Sequence, residues 1–200
     1  MINCRRVKCG NVSFFRTSLS YSSGKAFPTT LDVLVDFRGR TAAEALFPFA
    51  KNIVHMPMDT VGESYRRSLN PTIGELVEFY IEIVDKHRVE FSKLFGIVAS
   101  TPVVGFGCYF GKDRTGIASY LLARKFNATI DNIILDYTRS EYELRKNIDL
   151  FSAHWLKRNI SKENYMRRLI CPTQAIQSLD HYLAQRYGGI DYYLDKQLIV

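Results

Sequence analysis

One run, Gly107-Cys108-Tyr109-Phe110-Gly111-Lys112-Asp113-Arg114-Thr115-Gly116, carries the residue types in this chain that can do chemistry together. It sets a thiol and a guanidinium at the two ends of a short loop. A cysteine attacks only as its thiolate, and a free thiol of pKa ~8.5 is mostly protonated at neutral pH. Backbone amides and a helix dipole that hold a phosphate dianion also favour a thiolate at the centre of such a loop. Arg114 can grip two equatorial phosphoryl oxygens at once. Charge sits on those oxygens in the transition state for phosphoryl transfer, so donors fixed there lower the barrier. Tyr109, Phe110, Gly111 and Lys112 supply the amides of the loop, and Gly111 admits the positive φ that turns them inward. The Thr115 hydroxyl can donate to the sulfur and make it a better leaving group.

Such a loop needs a strand before it and a helix after it. Pro102-Val103-Val104-Gly105-Phe106 is the apolar run that leads in, and Gly116 to Arg124 is a good helical run that follows. Strand, tight loop and helix N-terminus is the layout that binds phosphate through backbone N–H groups. A nucleotide-binding P-loop is excluded: Gly111-Lys112 is followed by Asp113, and Phe106 stands where the first glycine is required. A zinc site needs clustered Cys and His, and here they are scattered.

The run resembles the signature loop of cysteine-dependent protein tyrosine phosphatases, a Cys and an Arg separated by five residues. Its Gly-Lys-Asp-Arg-Thr-Gly ending is most similar to a bacterial and fungal branch of tyrosine and phosphoinositide phosphatases. Phe14-Phe15-Arg16-Thr17-Ser18 resembles that branch's early "Tyr-Arg-Ser" stretch, and Leu34-Val35-Asp36-Phe37-Arg38 its "Ile-Asp-Leu-Arg" strand end. Asp136-Tyr137-Thr138-Arg139-Ser140 resembles its "Asp-Tyr-x-x-Ser" helix. Tyr187-Gly188 with Tyr193-Leu194 resembles its C-terminal close. The resemblance thus covers nearly the whole chain, in the family's order. Two positions depart from it. Gly107 stands where the family usually has His, a residue thought to orient the loop and lower the thiol pKa. Tyr109-Phe110 stand where small residues such as Thr-Ala are common, which sets aromatic side chains at the pocket mouth.

The resemblance implies Cys108 as nucleophile, Arg114 as phosphate ligand and Asp113 as the acid that protonates the leaving oxygen and then activates water. Asp59, after a strand in Met56-Pro57-Met58-Asp59, is the rival acid. Lys112 would add charge for multiply phosphorylated substrates, or be a solvated loop lysine. Arg16 and Arg38 match positions near the site and are candidate phosphate contacts, although an arginine at a strand end commonly pairs with a structural carboxylate. His55, His87, His154 and His181 have no spacing that nominates a base and read as structural or solvated. No metal or organic cofactor is required. The expected partner is a phosphotyrosine protein, a phosphoinositide or a phosphorylated small molecule. A nucleotide or sugar phosphate is made attractive by the Tyr109-Phe110 pair. The competing classes are a phosphate-binding module without turnover, which Gly107 favours, and a thiol redox or sulfur-transfer protein, which would need neither Asp113 nor Arg114.

The remaining features bound the fold. Two hundred residues suit one domain with a full core. No apolar run reaches membrane-spanning length. Met1-Ile2-Asn3-Cys4-Arg5-Arg6 lacks the apolar stretch of a signal peptide. Four cysteines form no evident disulfide framework, so a reducing cytoplasm is expected. The net charge of +7 is spread over Arg5-Arg6, Arg66-Arg67, Arg139, Arg145-Lys146, Lys157-Arg158 and Arg167-Arg168, which reads as solvated helix faces that attract anions rather than as a nucleic-acid site. Strands are predicted over Leu31–Phe37 and Asn52–Met56, and a short helix over Ala42–Leu46. Longer helices are predicted over Pro71–Lys86 and Val89–Ala99. Beyond Phe126 the chain reads as helical, with caps at Thr129, Ser161 and Thr173 and a stop at Gly188-Gly189. The expected fold class is α/β, a single domain with a small, largely parallel central sheet flanked by helices and a helical C-terminal half that supplies a pocket wall or lid. The sequence leaves the oligomeric state open.

Overall fold

The strand that leads into the loop forms the middle of a five-stranded sheet. The computed structural model describes residues 1–20, 27–39, 47–59, 62–68 and 70–197, without the side chain of residue 197. The helix predicted over Ala42–Leu46 lies outside the described residues. The strands are β1 (Arg5–Cys9), β2 (Val12–Ser18), β3 (Leu31–Asp36), β4 (Ala50–His55) and β5 (Val104–Cys108), in the order β1-β2-β5-β3-β4. β1 and β2 pair antiparallel, and every other pair is parallel. β5 is buried at every position because both of its faces are covered, which is why it reads as an apolar run rather than an alternating one. Its carboxyl end, at Cys108, lies between β2 and β3, where open α/β sheets bind their ligands.

The hairpin of β1 and β2 is not among the predicted strands. Its turn is the two-residue Gly10-Asn11, with Cys9 opposite Val12. Gly-Asn between β-prone runs is a recognisable hairpin signal.

The helices are α1 (Glu63–Arg67), α2 (Ile73–Lys86), α3 (Arg88–Ser100), α4 (Asp113–Lys125), α5 (Ile130–Lys146), α6 (Ser152–Lys157), α7 (Lys162–Arg167) and α8 (Thr173–Tyr187), followed by helical turns over Ile190–Tyr192 and Tyr193–Gln197. α2 starts at a reciprocal capping box between Thr72 and Glu75. It buries Leu76, Phe79, Tyr80, Ile83 and Val84, the stripe its sequence spacing predicts. Thr129 and Ser161 cap α5 and α7 as expected. Thr173 does not cap α8: the cap position is Pro172, and Thr173 is already in the first turn. Gly188, at φ 76°, ends that helix.

α4 is buried from Thr115 to Ala123 and is the central helix of the core. A separate apolar cluster of Ile2, Leu144, Ile148, Phe151, Trp155, Tyr165 and Leu169 joins the chain start to the helical half, and Tyr109 and Phe110 pack against it. The loop after β5 therefore lies on the seam between the sheet and the C-terminal helices.

Candidate active site

The geometry of the loop follows from where its carbonyls go. The Cys108 carbonyl accepts from the Leu19 amide at 2.8 Å, and that of Tyr109 from Ser18 Oγ at 2.7 Å. Asn3 Nδ2 donates to the carbonyls of both Phe110 (3.1 Å) and Gly111 (2.8 Å). Arg16 also donates to the Gly111 carbonyl, at 2.8 Å. A trans peptide points its N–H opposite its C=O. Drawing these carbonyls toward β2 and the chain start therefore turns the amides of Tyr109, Phe110, Gly111 and Lys112 the other way. On that other side Cys108, Asp113 and Arg114 line a cavity of about 230 Å³. The Lys112 carbonyl closes the first turn of α4 by accepting from Gly116 N at 2.7 Å.

Two glycines make the close approach possible. Gly111 sits at φ 64°, and a Cβ there would lie 2.5–2.6 Å from the Thr17 and Ser18 backbone. A Cβ on Gly107 would lie 2.6 Å from the Thr17 carbonyl and 2.7 Å from Leu19 Cγ. The histidine that the resemblance led one to look for at this position has no room.

Cys108 is 3% exposed at the floor of the cavity. The other three cysteines are also free thiols and do not line the cavity. Burial pushes Cys9 up to about 11 and Cys171 up to about 12, so both stay protonated. Arg114 NH1 donates to the Phe37 carbonyl at 2.7 Å and to Asp59 Oδ1 at 2.9 Å. With NH1 held there, the Nε–NH2 edge is the part that can grip an anion. Asp59 is thereby an orienting partner of Arg114 and is not part of the cavity lining. Asp113 does line the cavity, with Oδ1 accepting from Lys112 Nζ at 2.6 Å and from the Tyr80 hydroxyl at 2.8 Å. The Tyr137 hydroxyl stands 2.7 Å behind Tyr80. Burial raises both phenols well above their ordinary pKa, so the pair stays protonated and donates in series.

Three expected phosphate contacts have other tasks. Arg16 is fully buried: it pairs with Asp136 and holds Ser140 Oγ and the Gly111 carbonyl, behind the loop. Asp136 is also paired with Arg5 at 2.6 Å. Burial opposes its charge, but Arg16 and Arg5 outweigh burial and hold its carboxyl below the ordinary value. Arg38 folds back onto Asp36 (2.8 Å) and the Leu19 carbonyl (2.9 Å), so it is the structural pair that a strand-end arginine commonly makes. Lys112 is fully buried between Asp113, the Ile170 carbonyl and Tyr65. Burial alone would lower its pKa, and the Asp113 carboxylate reverses that, so its charge is matched internally. Thr115 is buried, and its hydroxyl has no hydrogen-bond partner among the described residues. The expected bond to the Cys108 sulfur is therefore not made in this state.

Sequence reading missed the outer wall. Tyr65, Arg66, His154, Arg158, Tyr165 and Arg168 line the cavity together with Tyr109 and Phe110. His154 is thus a cavity residue, accepting from or donating to the Tyr165 hydroxyl at 2.7 Å. Burial, then Arg158 and Arg168, push it down to about 4, so it is neutral at pH 7. No local spacing links residues 66, 158 and 168; only the packing of α1 against the ends of α6 and α7 brings them together.

Residues 27–200 match the tyrosine phosphatase family. The chain belongs to that family. No curated protein matches it. As a member of the tyrosine phosphatase family the chain is a phosphatase, and its five-stranded, mostly parallel sheet with flanking helices is consistent with that fold. The matched stretch contains the whole loop but not Asn3, β2 or Leu19, which hold the loop carbonyls. Among the described residues, no helix is long and apolar enough to cross a membrane.

Proposed function

We propose that this phosphatase hydrolyses phosphate monoesters through a cysteinyl-phosphate intermediate. The observation that carries the reading is the set of loop carbonyls drawn to the rear, which leaves the amides of residues 109–112 facing the thiol and guanidinium side. The substrate phosphate sits among these amides and the Nε–NH2 edge of Arg114. Cys108 thiolate attacks phosphorus in line: the S–P bond forms as the P–O bond to the leaving group breaks. Asp113, once protonated on the oxygen not held by Lys112 and Tyr80, gives that proton to the departing oxygen. Water then attacks the cysteinyl phosphate, Asp113 takes its proton, and the thiolate leaves. The buried Thr115 hydroxyl is available to donate to that sulfur as its charge returns. Proton transfer of this kind contributes roughly 10²–10⁴-fold.

The deciding experiment is hydrolysis of p-nitrophenyl phosphate by wild type and Cys108→Ser with a chelator present. Turnover that survives the chelator and is lost in the variant is expected. A wild type that binds phosphate analogues and hydrolyses none of a panel of natural monoesters would make the protein a binding module instead. Asp113→Asn should lose far more turnover on alkyl phosphates, which are poor leaving groups, than on the activated aryl ester. Equal losses on both would remove Asp113 as the acid.

A further inference from the structure

The reaction above uses one arginine, Arg114, yet Arg66, Arg158 and Arg168 line the same cavity. Among the described residues half of the sixteen arginines pair with a carboxylate, as Arg5 and Arg16 do with Asp136, Arg38 with Asp36, Arg67 with Glu63, Arg114 with Asp59 and Arg145 with Glu141. Arg66, Arg158 and Arg168 form no ion pair among the described residues. Arg168 is the informative one. It is 8% exposed, its NH2 donates to the carbonyls of Arg66 (3.0 Å) and Ser68, and its Nε is buried with no partner among the described residues. Burying a guanidinium without a paired carboxylate is unfavourable. Arg158 adds to this: after burial, it is the main influence that depresses Arg168, and with Arg168 it depresses His154. The one carboxylate in the lining, Asp113, is already matched by Lys112 at 2.6 Å. Glu75 and Asp113 are near enough to act on Arg168, but among the described residues no carboxylate forms an ion pair with any of the three guanidiniums of the outer cavity.

We propose that Arg168, Arg158 and Arg66 form a second anion subsite, and that the substrate is a small phosphomonoester bearing a second anionic group, phosphate or carboxylate. The proposal rests on the cysteine-phosphatase reading only for the position of the first phosphate. Both anions belong to one small molecule, because a single cavity of about 230 Å³ contains Cys108 and the three arginines. The charge that sequence reading assigned to Lys112 for multiply phosphorylated substrates is supplied instead by Arg66 of α1 and by Arg158 and Arg168 of the helical half.

The test is calorimetric binding to Cys108→Ser protein of phenyl phosphate, the 1,2-, 1,3- and 1,4-phenylene bisphosphates and 4-carboxyphenyl phosphate. At least one doubly anionic ligand should bind ten-fold or more tightly than phenyl phosphate, and the bisphosphate and carboxylate arms identify which second anion fits. Arg158→Gln and Arg168→Gln, each on the Cys108→Ser background, should reduce that advantage at least five-fold. Arg158 is exposed, so its variant keeps the fold and decides the matter if Arg168→Gln does not fold. An advantage below five-fold for every ligand, or one that survives Arg158→Gln undiminished, overturns the subsite. Because binding is read without turnover, the two readings fail separately. A protein that discriminates but never hydrolyses loses the phosphatase mechanism and keeps the subsite. One that hydrolyses p-nitrophenyl phosphate but does not discriminate loses only the subsite.

Discussion

The two sides of the loop after β5 are built from different materials. Behind it, Asn3, Arg5, Arg16, Ser18, Asp136 and Ser140 form a directional network in which every contact is a hydrogen bond or ion pair. In front, Tyr109 and Phe110 meet at 4.8 Å, and both face His154. Phe110 also meets Phe151 and Tyr165 edge-on. Contacts of that kind tolerate displacement, whereas a buried polar network does not. The rear therefore fixes the positions of the amides, and with them the chemistry. The front is where we propose that the ester is selected.

The comparison makes its largest prediction at the rear. Arg16→Met leaves Asp136 half-matched and the Gly111 carbonyl short of a donor, and should destabilise the fold by about 3–5 kcal/mol, read by urea unfolding. A loss under about 1 kcal/mol, the value of an exposed pair, would mean the rear network is not what fixes the loop. Next is Gly107→His, which installs the residue usual in the resembled loop. Its Cβ would meet the Thr17 carbonyl at 2.6 Å, so stability should fall by about 1–3 kcal/mol and turnover should fall with it. A variant with unchanged stability and faster hydrolysis would break the steric account.

At the front the expected effect is on preference. Tyr109→Thr with Phe110→Ala should destabilise by only about 1–2 kcal/mol, since both rings are half-buried. It should change the ratio of kcat/KM between aryl and alkyl phosphates several-fold. An unchanged ratio would remove the aromatic pair from substrate choice. The smallest effect is a pH dependence. The folded-state pKa of His154, about 4, lies below its unfolded value of about 6.5. The unfolded chain thus binds a proton there that the folded chain refuses. The resulting stability is complete above pH 6.5 and declines as pH falls toward 4. The urea midpoint should drop between pH 7 and pH 4.5, and His154→Gln should flatten that drop. An identical slope in the variant would show that His154 does not control it.

The strand, loop and helix around Cys108 were legible because their signal is local: an apolar run, a glycine-bearing loop and a good helix within about 20 residues. The α2 stripe and the caps at Thr129 and Ser161 were legible for the same reason. Arg16, Arg38 and Lys112 were assigned to substrate because sequence gives a residue's position but not the direction of its side chain. Each faces a carboxylate brought to it by the fold, Asp136, Asp36 and Asp113 in turn. The Asp136 to Ser140 motif was visible as a pattern, but its task of bracing Arg5 and Arg16 was not. The convergence of residues 66, 158 and 168 leaves no trace in spacing at all.

The pairing of β2 with β5 also constrains when the site can exist during folding. Ser18 aligns with Cys108 and Thr17 with Gly107, so the cradle closes only when segments about ninety residues apart in the chain have met. Contacts of that separation are entropically slow to form. A nascent chain can extend well past its motif with the thiol present and no oriented amides around it. Phosphate affinity followed during refolding should therefore report completion of the sheet rather than formation of α4.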